Sequence, residues 1–281
     1  MPRMLTRTLI AAGFTLAASA LTALAGPIDD RIAAGESIRI GFSNIPIWAF
    51  PGENGEAAGF MNDVAMETLK SMGYDNIEPV VTDWGGLIPG LQASRYDMIT
   101  GGMYILKSRC ENVSFSDPVG SFSDAFLVPT GNPKGINNYE DILSTGSVLV
   151  TGAGYNTVEA AKKVGITDAT LMQVPGPTEM LAAMKAGRAD AAVLTYFEAA
   201  HLAEASNGEL ELGDLAKMPE WTKNWAGIGF RHEDADFLAK FNEAMNAYIG
   251  TPEMLELVSK NEYTKDHLPG GVTAAWVCEN R

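Results

Sequence analysis

One supersecondary unit occurs twice in this chain, and it limits the architecture more than any other feature. Leu87-Ile88-x2-Leu91-x3-Arg95-Tyr96-Asp97 is matched, about 90 residues later, by Met180-Leu181-x2-Met184-x3-Arg188-Ala189-Asp190. In each copy apolar residues at helical spacing run through an Arg-x-Asp turn into a strand, Met98-Ile99 or Ala191-Ala192-Val193-Leu194. One copy fits any α/β unit. Two copies with the same junction point to two similar lobes.

The flanking pattern agrees. Ile38 to Phe42 alternates and is rich in β-formers, and Met61, Val64, Ala65, Leu69 and Met72 then fall at helical spacing before Gly73. A strand over 77–82 precedes the helix of the first repeat. Strand and helix alternation of this kind implies parallel pairing with helices on the faces. After Ile228-Gly229-Phe230 come an amphipathic helix carrying Phe237, Leu238, Phe241, Met245 and Tyr248, and a second from Pro252 through Val258. The expected fold class is α/β, with a first lobe of 26–122 and 226–281 and an inserted second lobe of 123–225. Phe122-Ser123-Asp124 and Asn224-Trp225-Ala226 are the expected hinge crossings, and the cleft between lobes is the expected ligand site.

Arg3 and Arg7 precede an apolar run ending in Ala23-Leu24-Ala25, which reads as a secretory signal cut before Gly26. The expected location is the periplasm. Without those two arginines the net charge of −15 becomes −17, which argues against binding nucleic acid or anionic lipid through bulk electrostatics. In an oxidising compartment the two cysteines, Cys110 and Cys278, read as one disulfide. The three histidines have no zinc-motif spacing, and no metal or cofactor is expected.

Several stretches resemble the polar amino-acid family (family 3) of binding proteins that serve ABC importers. They are Ile38-Arg39-Ile40-Gly41, Ala58-Gly59-Phe60-Met61-Asn62-Asp63-Val64, Asp83-Trp84-Gly85-Gly86-Leu87-Ile88-Pro89-Gly90-Leu91, Ser108-Arg109 leading to Phe115-Ser116-Asp117-Pro118, Gly187-Arg188-Ala189-Asp190-Ala191 and Gly227-Ile228-Gly229-Phe230-Arg231. In order and spacing they cover nearly the whole chain after residue 25. The resemblance implies the type II periplasmic fold, closing by a two-strand hinge around one solute, with membrane permease subunits as partners and a monomeric state.

The resemblance also assigns roles. Arg109 falls on the family's carboxylate-binding arginine, whose planar fork suits that task. Thr157 falls where the second lobe offers a hydroxyl and a helix N-terminus to the same carboxylate. Trp84 falls on the ligand-stacking position. Three positions depart from the pattern. Thr195 stands where amino-acid binders carry the aspartate for the α-ammonium, and Tyr104 and Leu106 replace small hydroxylated residues in the arginine loop. With Trp48 in the first cleft loop, Trp84 and Tyr104 make an aromatic box of the kind that attracts diffuse cations at about 0.5–2 kcal/mol per ring.

That box resembles the ectoine and hydroxyectoine binders of the family, although Ile45 stands where those binders carry a glutamate. The expected site is therefore an aromatic box without an acid, in which a bare ammonium would lack a counter-charge. Ectoine or hydroxyectoine is the expected solute. A methylated onium zwitterion (a betaine or dimethylsulfoniopropionate) or a polar amino acid is the alternative. Dehydratases and transglycosylases on this fold need a placed general acid or base, and no carboxylate falls at the family's ligand positions, so no enzymatic activity is expected. A sensory domain would show a membrane segment and an output module.

Overall fold

The computed structural model describes residues 26–281; the signal-peptide expectation falls on residues 1–25, outside that range. Strand β1 (Ile38–Phe42), helix α1 (Phe60–Ser71), β2 (Ile77–Val81), α2 (Leu87–Gln92) and β3 (Met98–Tyr104) follow in chain order. The one-turn helix α3 (Lys107–Cys110) then leads to the long strand β4 (Gly120–Pro129). Further on lie β5 (Leu149–Gly152), α4 (Asn156–Lys163), β6 (Leu171–Val174), α5 (Pro177–Lys185), β7 (Ala191–Thr195) and α6 (Tyr196–Ala205). The chain returns through β8 (Lys223–Phe230) to α7 (Ala235–Tyr248), α8 (Pro252–Ser259) and α9 (Ala274–Asn280).

The sheet order is β2-β1-β3-β8-β4-β7-β5-β6. β1 pairs in parallel with β2 and β3, and β5 pairs in parallel with β6 and β7. Between these two parallel halves lie the antiparallel strands β8 and β4, β8 pairing with β3 on one side and β4 with β7 on the other. β8 pairs with β4 over Lys223–Ala226 and with β3 over Ala226–Phe230. β4 pairs with β8 over Gly120–Ser123 and with β7 over Asp124–Leu127. Among the described residues the chain thus crosses between the two halves on two adjacent strands, which can bend together without breaking either parallel half.

The repeated unit has a physical basis. α2 ends at Ser94 (φ 53°) and α5 at Gly187 (φ 63°), both left-handed stops. Asp97 then bonds both ways with the Arg39 backbone, its N–H donating to the Arg39 carbonyl at 2.8 Å and its carboxylate accepting the Arg39 N–H at 3.0 Å. Asp190 does the same with Val148, at 2.8 and 2.9 Å. In each copy the turn aspartate zips the new strand onto the start of its parallel neighbour. The first copy is the more deeply buried: Asp97 also pairs with Arg31, Arg39 and Arg231.

β3 is buried along its whole length, as a central strand covered on both faces should be. An aromatic cluster spans the sheet halves, with Trp48 4.9 Å from Phe60, 4.5 Å from Phe122 and 6.0 Å from Phe197. Gly102 (φ 79°) permits this, since a Cβ there would lie 2.3 Å from the Trp48 ring. Cys110 and Cys278 are joined in a disulfide, 168 residues apart in sequence. No helix among the described residues is long and apolar enough to cross a membrane.

Candidate functional site

Arg109 projects from α3, a single turn that follows directly on β3. Its side chain is 8% exposed, and burial lowers its pKa to about 10, so it remains a cation at neutral pH. One terminal nitrogen donates to the Tyr104 carbonyl at 2.8 Å and the other to the Gly154 carbonyl, across the cleft, at 2.9 Å. A guanidinium has five N–H donors, so three remain for a ligand. Among the described residues no carboxylate pairs with it.

Opposite lies a buried carboxylate. Glu198, in the first turn of α6, accepts the Tyr155 hydroxyl at 3.0 Å and the Thr195 hydroxyl at 2.7 Å. Burial raises its pKa, while the bonds from Thr195 and Tyr155 pull it back down. Both groups line one pocket, together with Ile45, Trp48, Trp84, Tyr104 and Asn156. A buried cation and a buried carboxylate on one small pocket suit a ligand carrying both charges in the opposite sense.

Aromatic rings complete the wall. Trp84 lies 5.7 Å from the Arg109 guanidinium, and its indole N–H donates across the cleft to the Gly154 carbonyl at 3.1 Å. The Trp48 N–H donates to the Thr195 hydroxyl at 3.2 Å, again across the cleft. These bonds and the Arg109–Gly154 contact hold the lobes closed on the pocket. The buried Tyr104 hydroxyl has no partner among the described residues, and burial keeps it protonated by raising its pKa well above the usual phenol value. An unused buried donor on a pocket wall is a further contact point for a polar ligand.

Of the eight residues singled out in the sequence, six meet on this pocket: Ile45, Trp48, Trp84, Tyr104, Arg109 and Thr195. Leu106 lines a neighbouring cavity. Thr157 is fully buried with its hydroxyl engaged by Thr151, and its neighbour Asn156 takes the place on the pocket wall. The expectation of a box without an acid is wrong. Glu198 supplies one, because Thr195 closes β7 as the N-cap of α6 and puts the third helical residue one turn further into the same cleft. The signal was readable as Thr-x-x-Glu at a strand-to-helix junction, a capping-box spacing.

Behind Asn156 lies a second buried acid. Asp124, on β4, accepts the Asn156 amide at 2.9 Å and the Tyr139 hydroxyl at 3.0 Å. Burial pushes its pKa up to about 7 despite those bonds, and the charge of Glu198 adds to the rise.

The sequence matches the model of the bacterial extracellular solute-binding proteins, family 3, over residues 38–262. The chain belongs to that family. It is a periplasmic-type solute-binding protein of an ABC importer, and its type II fold follows. A probable amino-acid ABC transporter periplasmic-binding protein of Sinorhizobium fredii is 34% identical over 255 residues, covering 89% of this chain and 84% of the relative. The structure of EhuB in complex with hydroxyectoine superposes with a TM-score of 0.80 at 24% identity, covering 90% of this chain and 98% of that one. The ancestral amino acid-binding protein AncCDT-1, a precursor of cyclohexadienyl dehydratase, gives 0.72 at 26% identity, covering 84% and 99%.

Proposed function

We propose that this family member captures a small zwitterion whose positive end is flat, delocalised and bears N–H groups, as in ectoine and hydroxyectoine. The solute carboxylate lies on Arg109, the cation lies between Trp84, Tyr104 and Trp48, and its N–H groups donate to Glu198. The observation that carries this reading is the buried Glu198 carboxylate, accepting only neutral donors, on the same pocket as Arg109. A methylated onium has no N–H to offer it and would leave that carboxylate under-satisfied.

An α-amino acid is the second reading. Glu198 provides the counter-charge whose lack had argued against a primary ammonium, and the name of the Sinorhizobium relative is in keeping. Calorimetry with ectoine, hydroxyectoine, glycine betaine, glutamate and arginine separates the readings. The expected result is micromolar or tighter binding of the ectoines, at least tenfold weaker binding of betaine, and no heat from the amino acids. Micromolar binding of a plain amino acid with ectoine silent overturns it.

Glu198 also removes the argument against an enzyme that rested on a cleft without carboxylates. The reading as a binder rests instead on the family, and recovery of unchanged solute after prolonged incubation checks it. The proposed lobes are 26–122 with 226–281, and 123–225, meeting where β4 and β8 pair; delivery to permease subunits by a monomer exported with loss of residues 1–25 completes the proposal.

A further inference from the structure

The loop that carries Arg109 has little to hold it by itself. α3 is four residues long, and a single helical turn is unstable in isolation. Its supports come from elsewhere. The Ile105 N–H donates to the Trp225 carbonyl on β8 at 2.8 Å, and the Lys107 N–H donates to the Arg281 carbonyl at 2.9 Å. Cys110, next to Arg109, is covalently joined to Cys278 of α9. Three attachments within six residues thus lead to one crossing strand and one final segment.

Those two partners grip each other as well. The Arg281 guanidinium sits 4.9 Å over the Trp225 ring, and Trp276 packs edge-on against the same ring at 5.8 Å. The Trp225 indole N–H donates to the Pro269 carbonyl at 3.2 Å. Val277 is fully buried in a cluster with Ile105, Val113 and Trp225. Arg281 also reaches past the crossing strand to donate to the Trp221 carbonyl at 3.4 Å. None of the residues from 273 to 281 lines the solute pocket.

We propose that Thr273–Arg281 is the positioning element for Arg109: through Cys278 and Arg281 it fixes the arginine loop to the strand that crosses between the lobes, so solute affinity is set partly outside the pocket. The inference rests on Arg109 being the carboxylate-binding residue. It gives Cys278 and Arg281 roles in binding without contact to solute. A guanidinium fork misaligned by a fraction of an ångström loses one of its two bonds to a carboxylate, which is why rigid support matters there.

The test uses the full mature chain with Cys110→Ser/Cys278→Ser, and separately Arg281→Ala, which keeps the disulfide. Hydrogen exchange without solute is read at residues 104–113 and, for comparison, at 149–152. The expected outcome is at least tenfold faster exchange at 104–113 with 149–152 unchanged, in both variants. With ectoine as probe, each variant raises Kd tenfold or more, but less than twofold when Arg109→Lys is already present. Unchanged exchange at 104–113, a rise spread evenly over both regions, or the same Kd factor on both backgrounds overturns the proposal. Should ectoine fail to bind the unaltered protein, the solute assignment falls, and the exchange pattern alone decides this one.

Discussion

Asp124→Asn converts the buried acid behind the pocket into a group that cannot titrate. In the folded chain the carboxyl ionises at about 7, against 3.8 for the free side chain, because burial disfavours its charge and Glu198 lies near. Between those two values the folded state holds a proton that the unfolded chain has released. Stability must therefore fall as pH rises through the window from about 4 to about 7, and level off above it. A span of about three pK units corresponds to roughly 4 kcal/mol, an upper figure since the pocket can relax. The asparagine keeps the shape, and the Tyr139 hydroxyl can turn to accept instead of donate. Urea unfolding of both proteins at pH 4, 5, 6, 7 and 8, followed by tryptophan fluorescence, isolates the effect of Asp124 and of the Glu198 titration coupled to it, because titrations uncoupled to Asp124 cancel in the difference. The wild type should lose stability relative to Asp124→Asn by several kcal/mol between pH 4 and 7. A difference constant within about 0.5 kcal/mol, the scatter of such extrapolations, refutes the reasoning.

Arg109→Ala should abolish binding of carboxylated solutes with circular dichroism unchanged, and Arg109→Lys should recover only part, lacking the planar fork; calorimetry within a few-fold of wild type would remove Arg109 from the site. Glu198→Gln should weaken ectoine at least tenfold and leave glycine betaine within twofold, so equal losses for both would place Glu198 in a structural role. Asp97→Ala should cost about 3 kcal/mol in urea unfolding, since it strands the buried Arg231, two partly buried arginines and a backbone N–H, while Asp190→Ala, at the half-exposed copy of the same turn with a single lysine partner, should cost about 1 kcal/mol. A thiol assay on unfolded, unreduced protein should find no free cysteine, and removing the Cys110–Cys278 link should cost at most about 5 kcal/mol.

Much of the molecule is set by local rules that a sequence states openly. The two copies of helix, left-handed stop, aspartate and strand are each completed by bonds between near neighbours in the sheet, so the repeat is legible without coordinates. β1, α1 and α7 likewise begin and end within a few residues of where periodicity and stop signals put them. Arg109 and Trp84 stand out through the family pattern they fall on, and Tyr104 through its place in the arginine loop, and all three line the pocket. Other features depend on distances that no spacing rule encodes. Glu198 reaches the pocket because α6 starts at the cleft edge, and Thr157 turns away because its hydroxyl finds Thr151 on β5. Asp124 titrates near neutrality only because β4 carries it into the interior between Tyr139 and Asn156. The brace of Cys278, Arg281 and Trp225 arises from segments that meet only where β8 crosses between the lobes. Local hydrogen bonding and residue chemistry are short-ranged along the chain, whereas burial and the pKa values it shifts are properties of the packed whole.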